Sequence, residues 1–196
     1  ESKGFACEPI NKTTIHIYLQ DNMREYTGYL ETQKKTIKGL NIILRPAHQG
    51  DDKALEDFFD SLSTDSILNR FTTSRVDITP EGIQKLILID HSKEMVILAL
   101  LKDKDMIVGM GQYFIDDRSN TAEVAFIVRD EFQNRGIARE LIAHLMDIAK
   151  KRELRGFTAE TFMENKKMIH LFESMGFTKE KSPGTRSYEL RCLFNN

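Results

Sequence analysis

The stretch Gln133–Arg139, QNRGIAR, carries the residues of this chain best suited to chemistry on an anion. From Gly136 onward Ile137, Leu141, Leu145 and Ile148 recur at helical spacing, while Ala138, Ala143 and Ala149 keep that face smooth, so a helix starts inside QNRGIA. The first N–H groups of a helix have no partner within it, and the helix dipole places partial positive charge at that end. An anion there gains roughly 0.3–1 kcal/mol. Phosphate is the natural ligand: Gly136 would let it approach the main chain, Ala138 adds only a methyl group, and Arg135 and Arg139 supply charge. Taken alone, the same pattern also fits ordinary turn chemistry ahead of a helix.

What precedes the loop is a strand. Thr121 to Arg129 places Val124, Phe126 and Val128 on one face and Glu123, Ala125 and Ile127 on the other, and the alternation stops at Asp130. This strand, loop and helix start resembles motif A of the GNAT superfamily of N-acetyltransferases, whose Gln/Arg-x-x-Gly-x-Gly/Ala loop cradles the pyrophosphate of acetyl-CoA. Gln133, Gly136 and Ala138 occupy its three defining positions. The resemblance implies acetyl-CoA as co-substrate, held at its phosphates by Gln133, Asn134, Arg135, Gly136, Ile137, Ala138 and Arg139. It also implies that the main chain of Phe126, Ile127 and Val128 bonds the pantetheine arm, with the Val128 N–H facing the developing oxyanion.

AEVAFIV is similar to the segment of bacterial protein-lysine acetyltransferases whose glutamate is the catalytic base, usually through water. The resemblance therefore implies Glu123 as general base and a protein lysine as acceptor. A base is needed because a lysine ammonium, with a reference pKa of ~10.4, must lose its proton before it can attack. The plain alternative for Glu123 is a solvated carboxylate or one paired across the sheet.

Further on, ENKKMIHLFESMGF sets Met168, Leu171, Phe172 and Met175 on one helical face, with Gly176 as the stop. It resembles GNAT motif B, with Asn165 at the cofactor-side asparagine and Gly176-Phe177 at the usual Gly-Phe. Phe172 departs from the pattern. Many members carry there a tyrosine that protonates the leaving thiolate, so here another group serves or the thiolate leaves unassisted.

The elements needed to position these residues read as a mixed α/β domain. The resemblance implies for its core a mainly antiparallel sheet with a splayed parallel pair, the motif A strand and Gly156–Phe162, and helices on both faces. Tyr26–Thr32 and Thr36–Arg45 read as extended. Asp51 or Asp52 can cap a helix bearing Leu55, Phe58, Phe59 and Leu62, and Ser63–Arg70 reads as a second short helix. Thr79-Pro80-Glu81 starts a helix running to Asp90. Glu94–Lys102 and Met106–Ile115 form a hairpin, with Gly109 and Gly111 marking a bulge or a close approach of another backbone. The motif A helix is expected to end near Arg155-Gly156, its basic Lys150, Lys151 and Arg152 balancing the dipole. Phe177–Lys181 and Arg186–Phe194 complete the sheet. Residues 1–39 read as a linker or N-terminal extension and 40–196 as the acetyltransferase domain.

Composition bounds the rest. With 196 residues, 40% hydrophobic, the chain has material for one real core. A net charge of −2 gives no electrostatic reason to expect nucleic acid. The longest apolar run, Met95–Leu101, is too short to cross a bilayer, which points to a cytoplasmic protein with no membrane partner. No His/Cys cluster suggests a metal, and Cys7 and Cys192 suggest no disulfide. The chain starts at Glu1 rather than Met, which fits a piece of a longer polypeptide and equally the removal of a tag, so covalent fusion to a larger enzyme stays open; homodimer formation is a separate open expectation. The rival reading is a non-catalytic acyl-CoA-binding module that regulates a larger CoA-handling enzyme.

Overall fold

The computed structural model describes residues 30–70 and 79–194, apart from the side chains of Asn69 and Arg70. Its elements are β1 (Thr32–Lys35), β2 (Asn41–Pro46), α1 (Asp52–Asp60), α2 (Thr64–Arg70), α3 (Pro80–Ile87), β3 (Glu94–Leu101), β4 (Met106–Asp116), β5 (Thr121–Val128), α4 (Ile137–Lys151), β6 (Gly156–Phe162), α5 (Lys166–Ser174), β7 (Thr178–Lys181) and β8 (Ser187–Leu193). A 3-10 turn, Asp130–Phe132, follows β5. The strands form one sheet in the order β1-β2-β3-β4-β5-β6-β8-β7. Among the described strands only β5 and β6 pair in parallel, as the resemblance implies for the two strands on either side of α4.

Alternation in the strands builds two cores. Ile42, Leu44, Met95, Ile97, Val124 and Phe126 turn to α4 and α5, while Val96, Leu98, Leu100, Met110 and Ile127 turn to α1 and α3. The unbroken apolar run of β3 follows from burial on both faces. At Gly111 a Cβ would stand 2.9 Å from Leu145 Cδ1, so this glycine lets α4 press onto β4. A register shift at Ala99/Leu100 supplies the bulge, opposite Gly109, while what comes close at Gly111 is a side chain of α4 rather than another backbone.

Several local expectations give way to tertiary contacts. The extended segment expected from Thr36 is a turn up to Leu40: Thr36 N donates to Leu40 O at 2.9 Å, and Leu40 N donates to Thr36 Oγ1 at 3.2 Å. β1 falls within the stretch expected to precede the domain and pairs with β2 from Thr32↔Leu44 to Lys35↔Asn41. Residues 1–29, with Cys7, the Thr13–Leu19 alternation and most of Tyr26–Thr32, lie outside the described residues.

Asp51 stands at the N-cap of α1, but its side chain makes no cap bond. Its two oxygens take the Arg45 guanidinium at 2.7 and 2.8 Å, and one of them also takes His48 N at 2.9 Å. Desolvation of this buried carboxylate opposes ionisation, but the Arg45 hydrogen bonds outweigh it and hold the carboxyl below its usual range. Thr79 behaves as expected, with Oγ1 accepting from Gly82 N ahead of α3. α4 stops at Lys151, short of Arg155, as the chain passes into a left-handed Glu153 at φ 59°. Its basic end is structural: Arg152 donates to Tyr113 Oη at 3.0 Å and to Ser92 O at 2.8 Å. On α5 the fully buried positions are Ile169 and Phe172, and Ile169 stands outside the expected stripe. Met168, Leu171 and Met175 are only partly covered.

Candidate active site

The parallel pair comes apart almost at once. β5 and β6 are in register only at Ala122↔Phe157 and Glu123↔Thr158, so from Val124 onward one edge of β5 faces a split rather than a strand. Which groups face the split follows from the ladder to β4. Arg129 N donates to Val108 O at 3.0 Å, and in an antiparallel ladder alternate residues bond the same neighbour. Ala125 and Ile127 therefore spend their N–H and C=O on β4, while Val124, Phe126 and Val128 aim theirs across the split. Of the three expected main-chain contacts, Phe126 and Val128 face the gap; Ile127 faces Met110 across the ladder and buries its side chain against α1 and α3. The Phe126 ring leans on Phe172 of α5 with centroids 5.5 Å apart, and α2 packs against both β5 and β6.

The loop after β5 is held by hydrogen bonds that sequence reading did not foresee. Asp130 accepts from Ser63 N, Ser63 Oγ and Ser66 Oγ at 2.9, 2.7 and 2.7 Å, which pins the 3-10 turn to the start of α2. Desolvation works against the charge, but these donors outweigh it and keep the Asp130 carboxyl below its usual range. Gln133 joins the cluster: its Nε2 donates to Ser66 Oγ at 2.9 Å and to Val128 O at 3.3 Å. Gln133 thus ties the loop to the split edge of β5. The one available signal was Ser63-x-x-Ser66 ahead of a helix, and it named no partner.

Two left-handed residues, Asn134 at φ 58° and Gly136 at φ 88°, then turn the chain into α4. A Cβ at Gly136 would stand 2.9 Å from Ile37 Cγ1 and 3.4 Å from Thr36 Cβ, so its bare side packs on the β1–β2 turn. Ile137 is buried, leaving only its main chain for a ligand, and Ala138 is partly exposed beside it. Arg135 lies over the Phe132 ring at 5.2 Å. Arg139 donates to Ser174 Oγ at 2.6 Å and Met175 Sδ at 3.1 Å, which clamps α4 to the end of α5. Asn165 caps α5 through Oδ1, which accepts from Met168 N at 3.2 Å.

Glu123 stands at the last paired position before the split, exposed, with no hydrogen-bond or ion-pair partner among the described residues. Its side chain shares the sheet face that α1 and α3 leave open toward β8. Two cavities meet at it, of about 520 and 270 Å3. Thr158 and Glu189 line both; Phe114 and Arg191 line the larger one, Glu160 the smaller. Glu189 pairs with Arg191 at 2.7 Å, and Glu160 accepts a hydrogen bond from Ser187 Oγ.

A free strand edge, a helix start with open N–H groups, and a carboxylate where the strands part suit a phosphate-bearing thioester on one side and an amine on the other. The family model described as the acetyltransferase (GNAT) family matches residues 56–177. The chain belongs to this family. It is an N-acetyltransferase, of the fold that binds acetyl-CoA and passes the acetyl group to an amine. An acetyltransferase of Pseudomonas aeruginosa is 24% identical over 147 residues, 74% of this chain and 79% of that protein. The GNAT domain of S. lividans PAT superposes with a TM-score of 0.78 at 25% identity, covering 85% of this chain and 98% of that one. Spermidine N-acetyltransferase from Vibrio cholerae, solved in complex with CoA and spermine, shares the fold: TM-score 0.63, 20% identity, 78% of this chain and 95% of that one. Among the described residues no helix is long and apolar enough to cross a membrane, and no cluster of three or more His, Cys, Asp or Glu could hold a metal ion.

Proposed function

We propose that this acetyltransferase acetylates a primary amine carried on a cationic chain, a protein lysine in the favoured case, with Glu123 as general base and direct transfer between the bound partners. The observation that carries the reading is the placement of Glu123: a carboxylate with no partner among the described residues, at the point where β5 and β6 part, opening on two cavities. Glu160 adds negative charge beside it and favours an approaching ammonium group, and the half-exposed Phe114 ring offers apolar surface to an alkyl chain. The likeness of AEVAFIV to bacterial protein-lysine acetyltransferases supports the lysine, and the spermine bound by the Vibrio cholerae relative is likewise a cationic amine.

In this reading the main chain of Phe126 and Val128 holds the pantetheine arm at the free edge of β5. The N–H groups at the start of α4, from Gly136 to Ala138, hold the pyrophosphate. Acetyl-CoA supplies the activated acyl group. Glu123 takes the proton from the incoming ammonium, directly or through one water, and the Val128 N–H donates to the oxygen that gains charge as the amine adds. Phe172 has no proton to give, so the thiolate leaves unassisted or takes its proton from water.

The test is an acceptor screen with radiolabelled acetyl-CoA on wild type and Glu123→Gln. The variant keeps the shape of the side chain and removes the base. CoA binding should survive while transfer falls by ~10²–10⁴-fold at neutral pH, with partial recovery as the pH is raised. Undiminished transfer by Glu123→Gln rejects this base. Tight acetyl-CoA binding by wild type with no transfer to any protein, peptide or small amine would favour the regulatory-module reading instead.

A further inference from the structure

The β1–β2 turn lies against the start of α4, and its contacts assign it a role. β1 runs back along the helix: Leu30 O lies 2.8 Å from His144 Nε2 in the middle of α4, and Ile37 reaches Gly136 at its beginning. Besides the Ile37 Cγ1 contact, the Ile37 main-chain N would stand 3.4 Å from a Gly136 Cβ, so the turn borders the first N–H groups of α4 directly. The turn is a fixed object. Thr36, 3% exposed, bonds Leu40 through both N–H and Oγ1, and its carbonyl takes Gly39 N at 2.8 Å.

What this rigid turn presents outward is an isoleucine, 72% exposed, followed by the exposed Lys38. Of the loop's own arginines, Arg139 binds Ser174 and Met175, while Arg135 lies exposed over the Phe132 ring. Lys38 has no ion-pair partner among the described residues, and its flexible four-carbon stem lets the ammonium swing toward an anion at the helix start.

We propose that the Thr36–Leu40 turn is a wall of the coenzyme A site: Lys38 contacts a phosphate of the ADP half, and Ile37 gives the adenosine an apolar surface. This rests on the reading that the N–H groups from Gly136 to Ala138 cradle the pyrophosphate. Lys38 is then a specificity residue for the nucleotide end of the co-substrate and takes no part in the transfer step.

The experiment measures binding of CoA and of dephospho-CoA, which lacks the 3′-phosphate, to wild type, Lys38→Met and Lys38→Arg, together with steady-state kinetics. Lys38→Met should weaken CoA by about two- to fivefold, the worth of an exposed charge pair. Lys38→Arg should recover it. KM for acetyl-CoA should rise with kcat and the acceptor KM unchanged, and the melting temperature should not move. A loss seen with CoA alone assigns the contact to the 3′-phosphate, and an equal loss with both ligands assigns it to the pyrophosphate. Equal affinities of wild type and Lys38→Met for both ligands overturn the proposal. A wild type that binds neither ligand overturns the underlying cradle as well.

Discussion

Gly136→Ala is the sharpest probe of how the loop is built, because the structure separates its two costs. The backbone at Gly136 has φ 88°, and an alanine held in that left-handed region loses about 1–2 kcal/mol. The added Cβ would also stand 2.9 Å from Ile37 Cγ1, well inside the ~3.5–4.0 Å optimum for carbon pairs. Overpacking typically costs 1–3 kcal/mol, and since Ile37 is exposed and can swing away, the low end of about 1 kcal/mol applies. The sum is about 2–3 kcal/mol. In a domain of this size that lowers the melting temperature by roughly 4–12 °C. Ile37→Ala in the same chain removes the steric part and leaves the dihedral part, so the double variant should recover about a third to a half of the loss. The assay is thermal melting of the four proteins with and without CoA. At a hundredfold excess over Kd, CoA should stabilise wild type by ~2.7 kcal/mol. Gly136→Ala should lose part of that gain, because the strained alanine favours leaving φ 88° and so turns the first N–H groups of α4 away. Full recovery by Ile37→Ala would refute the dihedral argument, and an undiminished CoA shift in Gly136→Ala would refute the cradle.

Two further outcomes are expected. Phe172 is 2% exposed, with its ring 5.5 Å from Phe126 and 4.7 Å from Phe177. Phe172→Leu should therefore cost about 1–2 kcal/mol in denaturant unfolding with little change in turnover. Phe172→Tyr should cost about 1–3 kcal/mol for its buried hydroxyl, and a stable, faster tyrosine variant would show that the ring edge reaches the cleft. Burial pushes the His144 imidazole below its usual value, outweighing the Leu30 carbonyl that favours the protonated ring. Its folded pKa is below the unfolded one, so its contribution is fully present above about pH 6.5 and is lost as pH falls from there toward the folded value. His144→Gln should flatten this slope in a melting series against pH. His91, also shifted down by burial, contributes a slope of the same sign that should remain.

What the sequence determined by itself was local. The change of period at Gly136, the alternation from Thr121 to Arg129, Pro80 behind Thr79 and Gly176 at the end of α5 all act through bonds within a turn or two, so the residues involved sit close together in the chain. That is why β6 has the bounds expected for it, and why the helix start at QNRGIA was legible, whereas the parallel pair at its flanks came from the family resemblance. What only the tertiary structure decided was which partner each exposed face or free group meets. Nothing near Gly136 in sequence shows that Ile37 fills the space beside it, nor that Arg139 turns to Ser174. Asp51 abandons its cap for Arg45, a bidentate charged partner that β2 brings within reach. Asp130 finds Ser63 and Ser66 only because α2 crosses the end of β5. The place where β5 parts from β6 is likewise set by packing, since alternation fixes which face of a strand is apolar but says nothing of where its neighbour leaves it. The sequence could therefore name Glu123, but only the loss of pairing after Thr158 puts that carboxylate at the mouth of a cleft.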